Sequence, residues 1–273
     1  MKYFIVAFIF LITSGCSKPI PGFDFNLFKG NAARDLANAV KSESKERIIE
    51  VLRDSAISPD IREPKYGHTL LMLAVANNLK KSVRYLLEAG ADPNIRSNKD
   101  EDDLTTPMFI ACNHIYKKQI CDLDILDLLI SYKGNVNDSL PIFFANANYT
   151  VADRPLLEAC KSGCLDMVKL LVNKGADINQ YDYSEGVGPI SYAIVFDNLE
   201  ILKYLIIDKK IKIPKYCCVI QAHNESPRIE KTIQESLMAK KYKTGSKEFR
   251  LREDILKYLK SKDQNLLNTR YNN

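Results

Sequence analysis

Three stretches of this chain copy one another. Residues 69–94 read TLLMLAVANNLKKSVRYLLEAGADPN, and residues 154–179 read RPLLEACKSGCLDMVKLLVNKGADIN. Residues 106–111, TPMFIA, open a third copy that resumes after a longer gap as DILDLLISYKGNVN at 124–137. Repetition constrains a fold more tightly than composition does. Each copy must be one small unit that buries its faces only against its neighbours. Each reads as a short first helix, a loop, an apolar second helix and a turn. Ala74, Ala111, Ala159 and Ala193 are the small residues of the first helix, where neighbouring helices pack closely. Leu86–Leu87, Leu128–Leu129, Leu170–Leu171 and Tyr204–Leu205 form the inward stripe of the second. Gly90, Gly134 and Gly175 fall at its end, where a left-handed cap is expected. Asn94, Asn137 and Asn179 then open the turn into the next unit.

The TPLxxA start, the V/L-x-x-LL helix and the closing G-A/N-x-x-N resemble ankyrin repeats. Softer copies flank the three. LANAV (36–40) with RIIEVLRDS (47–55) precedes them, and GPISYAIVFDNLEILKYLIIDKK (188–210) follows. A last copy is inferred from ILKYL at 255–259, an echo of 201–205, with IEKTIQESLMA (229–239) as its first helix. The resemblance implies an all-α ankyrin-repeat solenoid of five to six helix-turn-helix repeats with finger loops. The repeats are expected near 31–66, 67–104, 105–152, 153–187, 188–214 and 225–263, with a disordered tail over 264–273. The family period is about 33 residues, and longer spacings here mark insertions. The histidine of the family's TPLH is replaced by Met72, Phe109, Leu157 and Ser191. The Ala, Leu-Leu and Gly positions carry the packing, so the class is expected to survive.

The resemblance also implies a binding module with a rim of finger loops. The inserted segments supply candidate contacts. Asp100, Glu101, Asp102 and Asp103 form an acidic run; Phe143, Phe144 and Tyr149 are expected in a loop; Tyr181 and Tyr183 follow in a third finger. Aromatic side chains beside acidic ones suit a protein partner. A solvated loop is the alternative for the acidic run, and burial under the extra loop for Phe143–Phe144.

No catalytic constellation is legible. His68, His114 and His223 lie in different repeats, and no nucleophile elbow, phosphate loop or HExxH helix is present. Cys112, His114 and Cys121 have no zinc spacing. Neither an enzyme nor a metal or cofactor is expected. Net charge is +5, from 39 basic and 34 acidic residues. The cations are scattered, apart from a basic bias at 240–247 and 257–262, so a nucleic-acid partner is not expected. No cysteine pairing is compelling after Cys16, and mostly reduced thiols are expected, with Cys121 open to pairing in a neighbouring loop.

The N-terminus reads MKYFIVAFIFLITSGC. Tyr3–Thr13 is an apolar run of 11 residues, whereas a bilayer needs about 20. The run has the length of a signal-peptide core. Ile12, Thr13, Ser14, Gly15 and Cys16 resemble the lipobox of bacterial lipoproteins, with Thr13 where Leu is usual. The resemblance implies removal of 1–15, a covalent lipid on Cys16 and a cell-envelope address. A plain cleaved secretory signal and an uncleaved anchor are the alternatives. Residues 16–30 read as a tether, in which Phe23, Phe25, Leu27 and Phe28 pad the edge of the first repeat or touch the membrane. Compartment and binding fold together suggest a protein-binding lipoprotein, for example an immunity protein that occludes a secreted antibacterial effector; the alternative is an envelope scaffold with several weak partners.

Overall fold

The computed structural model describes residues 22–97, 104–113, 123–144, 149–180, 188–220 and 229–271. Its helices come in pairs: α1 (Asn31–Lys41) with α2 (Lys45–Ser55), α3 (Leu70–Ala76) with α4 (Lys80–Glu88), α5 (Pro107–Cys112) with α6 (Leu123–Ser131), α7 (Pro155–Ser162) with α8 (Leu165–Asn173), α9 (Pro189–Val195) with α10 (Leu199–Lys203), and α11 (Ile233–Met238) with α12 (Lys247–Tyr271). First helices pack in one row, α1-α3-α5-α7-α9-α11, and second helices in another, α2-α4-α6-α8-α10-α12. This is an all-α solenoid. Two antiparallel hairpins are inserted into it: β1 (Leu140–Phe144) with β2 (Tyr149–Asp153), and β3 (Cys218–Ile220) with β4 (Ile229–Lys231).

The two rows differ because their surroundings differ. A first helix lies between two neighbours and its own partner, so it is apolar nearly all round. All seven residues of α3 are buried. The repeat alanines Ala74, Ala111, Ala159 and Ala193 are each fully buried. A second helix shows one face to water. In α4, Val83, Leu86 and Leu87 point inward while Lys81 is exposed. Thr69 and Thr106 cap α3 and α5 through side-chain oxygens that accept from Met72 and Phe109 N–H. Pro107, Pro155 and Pro189 occupy the first helical position, where no N–H is needed. The core runs unbroken from Phe23 to Leu259.

Three expectations need correction. Residues 22–28 of the expected tether are not a tether, because Phe23, Phe25 and Phe28 are buried against the first repeats and Gly22 C=O is already bonded. The segment after 263 is not an irregular tail: α12 runs to Tyr271. Gly134 is not a left-handed cap. The left-handed residues after the second helices are Ala56, Gly90, Lys133, Gly175 and Lys210. Gly134 matches Ala91 and Ala176: its N–H donates to Leu129 C=O, as theirs donate to Leu86 and Leu171. It is glycine for space, since a Cβ there would lie 2.6 Å from Met108 Sδ and 2.9 Å from Leu129 O.

A ladder of side-chain bonds ties consecutive repeats. Asn94 Nδ2 donates to Lys133 C=O at 3.1 Å, and its Oδ1 accepts from Asn135 N–H at 2.8 Å. Asn137 does the same with Gly175 C=O (2.9 Å) and Asp177 N–H (2.8 Å). Asn179 Oδ1 accepts from Lys212 N–H at 3.1 Å. At the first junction the rung is Asp60, whose Oδ1 accepts from Asp92 N–H at 2.9 Å. Each rung residue is itself fixed by a turn: Asp60, Asn94, Asn137 and Asn179 N–H donate to Ser58, Asp92, Asn135 and Asp177 side chains.

Asp60 can accept but, ionised, cannot donate. Burial above all, with the nearby Asp92 carboxylate, pushes it above the ordinary carboxylate range. A raised folded pKa means stability is lost as pH rises from the ordinary value through the folded one. Asp60→Asn restores the missing donor and removes that loss. It should stabilise by about 1 kcal/mol in urea unfolding, and the gain should be larger at neutral pH than in acid. Asn137→Ala should cost about 1–2 kcal/mol, the net of two bonds. No gain for Asp60→Asn at any pH would refute the assignment of Asp60 as an incomplete rung.

Candidate protein-binding surface

The ladder holds the fingers side by side, and more bonds fix their bases. Ser97 N–H donates to Thr105 C=O at 3.0 Å, and Thr105 N–H donates to Ser97 Oγ at 2.9 Å. Together they close the base of the segment that carries Asp100, Glu101, Asp102 and Asp103. Those four residues lie outside the described residues, as do Tyr181, Tyr183 and Cys16. Arg96 of this finger pairs with Asp138 of the next at 2.8 Å and donates to Ser139 C=O at 3.1 Å. Arg154 Nη1 closes the same finger from its far side, on Asn137 C=O at 2.9 Å.

The aromatic insertion is not a loop, as its composition suggested. Phe143 and Phe144 are on β1 and Tyr149 is on β2, with Phe144 opposite Tyr149 and Phe143 opposite Thr150. The backbone therefore brings these three residues into one hairpin, next to the finger whose base Arg96 joins.

A second surface was missed. On α9 the exposed end carries Val195, 63% exposed, and Phe196, 48% exposed; Met238 at the end of neighbouring α11 is 72% exposed. Tyr192 stacks on Phe196 with ring centroids 6.2 Å apart and planes 6° apart. Lys161 of α7 lies over the Tyr192 ring at 4.6 Å and is ion-paired with buried Glu158. The signal was available in the repeat. Val195 and Phe196 stand where the α7 copy has Lys161 and Ser162, and the α3 copy has Ala76 and Asn77. Large apolar residues at positions that are polar or small in sister repeats are not there for the stack.

The last repeat pins this end. Lys240 Nζ donates to Ile194 C=O at 2.7 Å and pairs with Asp197 at 2.8 Å. Tyr242 Oη donates to Asp197 as well. Burial first, then the Asp197 carboxylate, pushes the Tyr242 phenol far up, so it stays protonated. Arg252 donates to Lys240 C=O at 3.1 Å and lies over the rings of Tyr242 and Phe249.

Nothing points to catalysis. Among the described residues no group of three or more His, Cys, Asp or Glu side chains is placed to hold a metal. Of the histidines, His68 alone is described. Its Nδ1 donates to Gly22 C=O at 2.7 Å, and its ring stacks on Phe23 at 4.5 Å, a structural role. His114, His223 and Cys121 lie outside the described residues. The expectation of mostly reduced thiols holds for Cys112, Cys160 and Cys217, which carry no disulfide, whereas Cys164, at the start of α8, is disulfide-bonded. Among the described residues no helix is long and apolar enough to cross a membrane.

The comparisons with known proteins agree with the stack. The family model for ankyrin repeats (three copies) matches residues 108–216, and that for a single ankyrin repeat matches 66–98, together just over half of the chain. The mouse B-cell lymphoma 3 protein homolog is 30% identical over 161 residues, 59% of this chain and 32% of that protein. A putative ankyrin repeat protein of fowlpox virus is 23% identical over 163 residues, 59% of this chain and 98% of the viral one. A second fowlpox ankyrin repeat protein is 29% identical over 185 residues, 58% of this chain and 53% of its own. The chain thus spans about a third of the mouse protein and about half of the second viral one.

The disulfide makes a direct prediction. In the native-source protein, Cys164 should resist alkylation under denaturing conditions until a reductant is added, as read by peptide mass spectrometry. Full alkylation without reductant would contradict the bond.

Proposed function

The chain belongs to the ankyrin-repeat family, and from that premise we propose that it is a bacterial lipoprotein, held in the cell envelope by a lipid on Cys16, that works by binding a protein. Ankyrin repeats are protein-interaction scaffolds, and the reading goes beyond that family role in two respects: the address and the mode of action.

The address is supported by the lipobox-like LITSGC and by Cys164. Disulfides persist in oxidising spaces such as the bacterial periplasm and are rare in a reducing cytosol. The mode of action is supported by the exposed apolar side chains Val195, Phe196 and Met238 on the neighbouring helices α9 and α11, which carry the reading. Apolar side chains held rigidly and left in water at one end of a helix row match the anchors that dominate binding energy at interfaces. The fingers with the acidic run and the aromatic hairpin supply a polar and aromatic rim. Such a surface acts by occlusion. A secreted antibacterial effector is the concrete partner class, and this chain would be its immunity protein.

The test is an affinity pull-down of the lipidated protein from detergent-solubilised membranes beside Cys16→Ala and Phe196→Asp. One stoichiometric partner that is itself a toxic enzyme is expected. Phe196→Asp should weaken that complex by tenfold or more, about 1.4 kcal/mol or above, as for an interface anchor. Its own stability should change by less than about 1 kcal/mol, because the ring is half exposed. Cys16→Ala should lose the lipid mass and leave the membrane fraction. Several sub-stoichiometric envelope proteins would instead favour a scaffold. An unmodified Cys16 would remove the lipoprotein reading.

A further inference from the structure

The N-terminal segment is built into the repeats at one place. Gly22 C=O accepts from His68 Nδ1 at 2.7 Å, and Phe23 C=O accepts from Asn77 Nδ2 at 3.0 Å. The Phe23 ring stacks on His68 at 4.5 Å, 8° from parallel, and is 3% exposed. His68 in turn sits between Phe23 and Tyr66, whose ring lies at 5.5 Å. The turn that carries His68 is rigid: the buried Glu63 carboxylate accepts from Lys65, Tyr66 and His68 N–H at 2.7, 2.8 and 3.0 Å. Gly22 has φ +85°, and a Cβ there would meet the His68 and Tyr66 rings. The first described residues, Gly22 and Phe23, are therefore docked beside the finger turn Glu63–Gly67.

Resting on the lipidated Cys16 of the preceding section, we propose that this docking sets the orientation of the protein on its membrane, with the finger turn Glu63–Gly67 against the lipid headgroups and the C-terminal repeat farthest from them. Cys16 is six residues before Gly22. Six residues span at most about 20 Å fully extended, and Pro19 and Pro21 favour an extended backbone over that span. The turn is thus leashed within a short distance of the bilayer. Neighbouring helices stand about 8–10 Å apart, so α12, four repeats further on, lies roughly 30–40 Å along the row. The turn also suits an anionic surface, since Arg62 is exposed beside it and such a surface attracts a cation. The aromatic hairpin and the apolar end of α9 are then held out from the membrane, open to a partner in the envelope space.

The chain contains no tryptophan, so single-tryptophan variants report one site each. Lys65→Trp and Lys260→Trp replace exposed residues of the finger turn and of α12. Each is purified lipidated, with the Cys16 lipid verified by mass spectrometry, and reconstituted into phosphatidylglycerol vesicles containing a dansyl-headgroup lipid. Energy transfer to dansyl should be severalfold greater from position 65 than from position 260. Adding Phe23→Ala to Lys65→Trp, which removes the ring stack while keeping the lipid, should cut transfer from 65 towards the value at 260. Equal or greater transfer from 260 in lipidated protein overturns the orientation, as does transfer from 65 that Phe23→Ala leaves unchanged. Absence of the Cys16 lipid fails the anchor reading instead, and is seen before any fluorescence is recorded.

Discussion

One side chain per junction, Asp60 at the first and an amide (Asn94, Asn137, Asn179) at the next three, links the first five repeats one to the next. Asn94 and Asn137 reach across to donate to the carbonyl of the next left-handed residue and to accept from an N–H two residues beyond it. The apolar rows beneath supply most of the free energy, since burial scales with area. Burial is non-directional, however, and would tolerate repeats that slide or rotate on one another. The ladder adds direction. It fixes where each finger starts, and the Ser97–Thr105 closure and the Arg96–Asp138 pair then carry that register to the finger bases. A binding rim assembled from different repeats needs such a register, because loops ordered before binding have less entropy to lose on it.

The fold was legible in the sequence to the extent that it rests on packing. Alanine in the first helix and the paired leucines of the second are dictated by distance and burial, and both recur visibly. The errors came where hydrogen bonding or insertion decides. Gly134 looked like a cap because it is a glycine at the end of a helix. The backbone bonds place Lys133 in the left-handed position instead, and Gly134 is small because Met108 and the Leu129 carbonyl crowd it. A lysine can hold φ +69° when the surrounding bonds fix it. The aromatic segment at 140–153 was expected as a loop, but the runs on either side of 145–148 pair as strands, with Pro141 itself on β1 opposite Ala152. The docking of Phe23 on His68 has no local sequence signal at all, since the two are far apart in the chain.

The candidate surface was legible in part. Phe143, Phe144 and Tyr149 were picked out for their chemistry, and the backbone gathers them into one hairpin. Val195 and Phe196 passed unnoticed, because apolar residues at the end of an apolar helix look like more core. Only comparison between repeats, where the same places hold Lys161 and Ser162, marks them as surplus. The same repetition that made the fold easy to read therefore also makes its departures the most informative residues. The C-terminal repeat has a second job beyond covering the end of the stack. Through Lys240 and Tyr242 on Asp197 it stiffens the end of α9 that presents those side chains.

The measurement that tests the ladder most directly is native-state hydrogen exchange at its acceptor-bound amides, Asp92, Asn135, Asp177 and Lys212. Each should be protected in the native protein, and Asn137→Ala should strip protection from Asp177 while Asn135 keeps its own. If these amides exchange as fast as open turns, or if Asp177 stays protected without Asn137, the fingers are not registered by these side chains and the account of the rim fails.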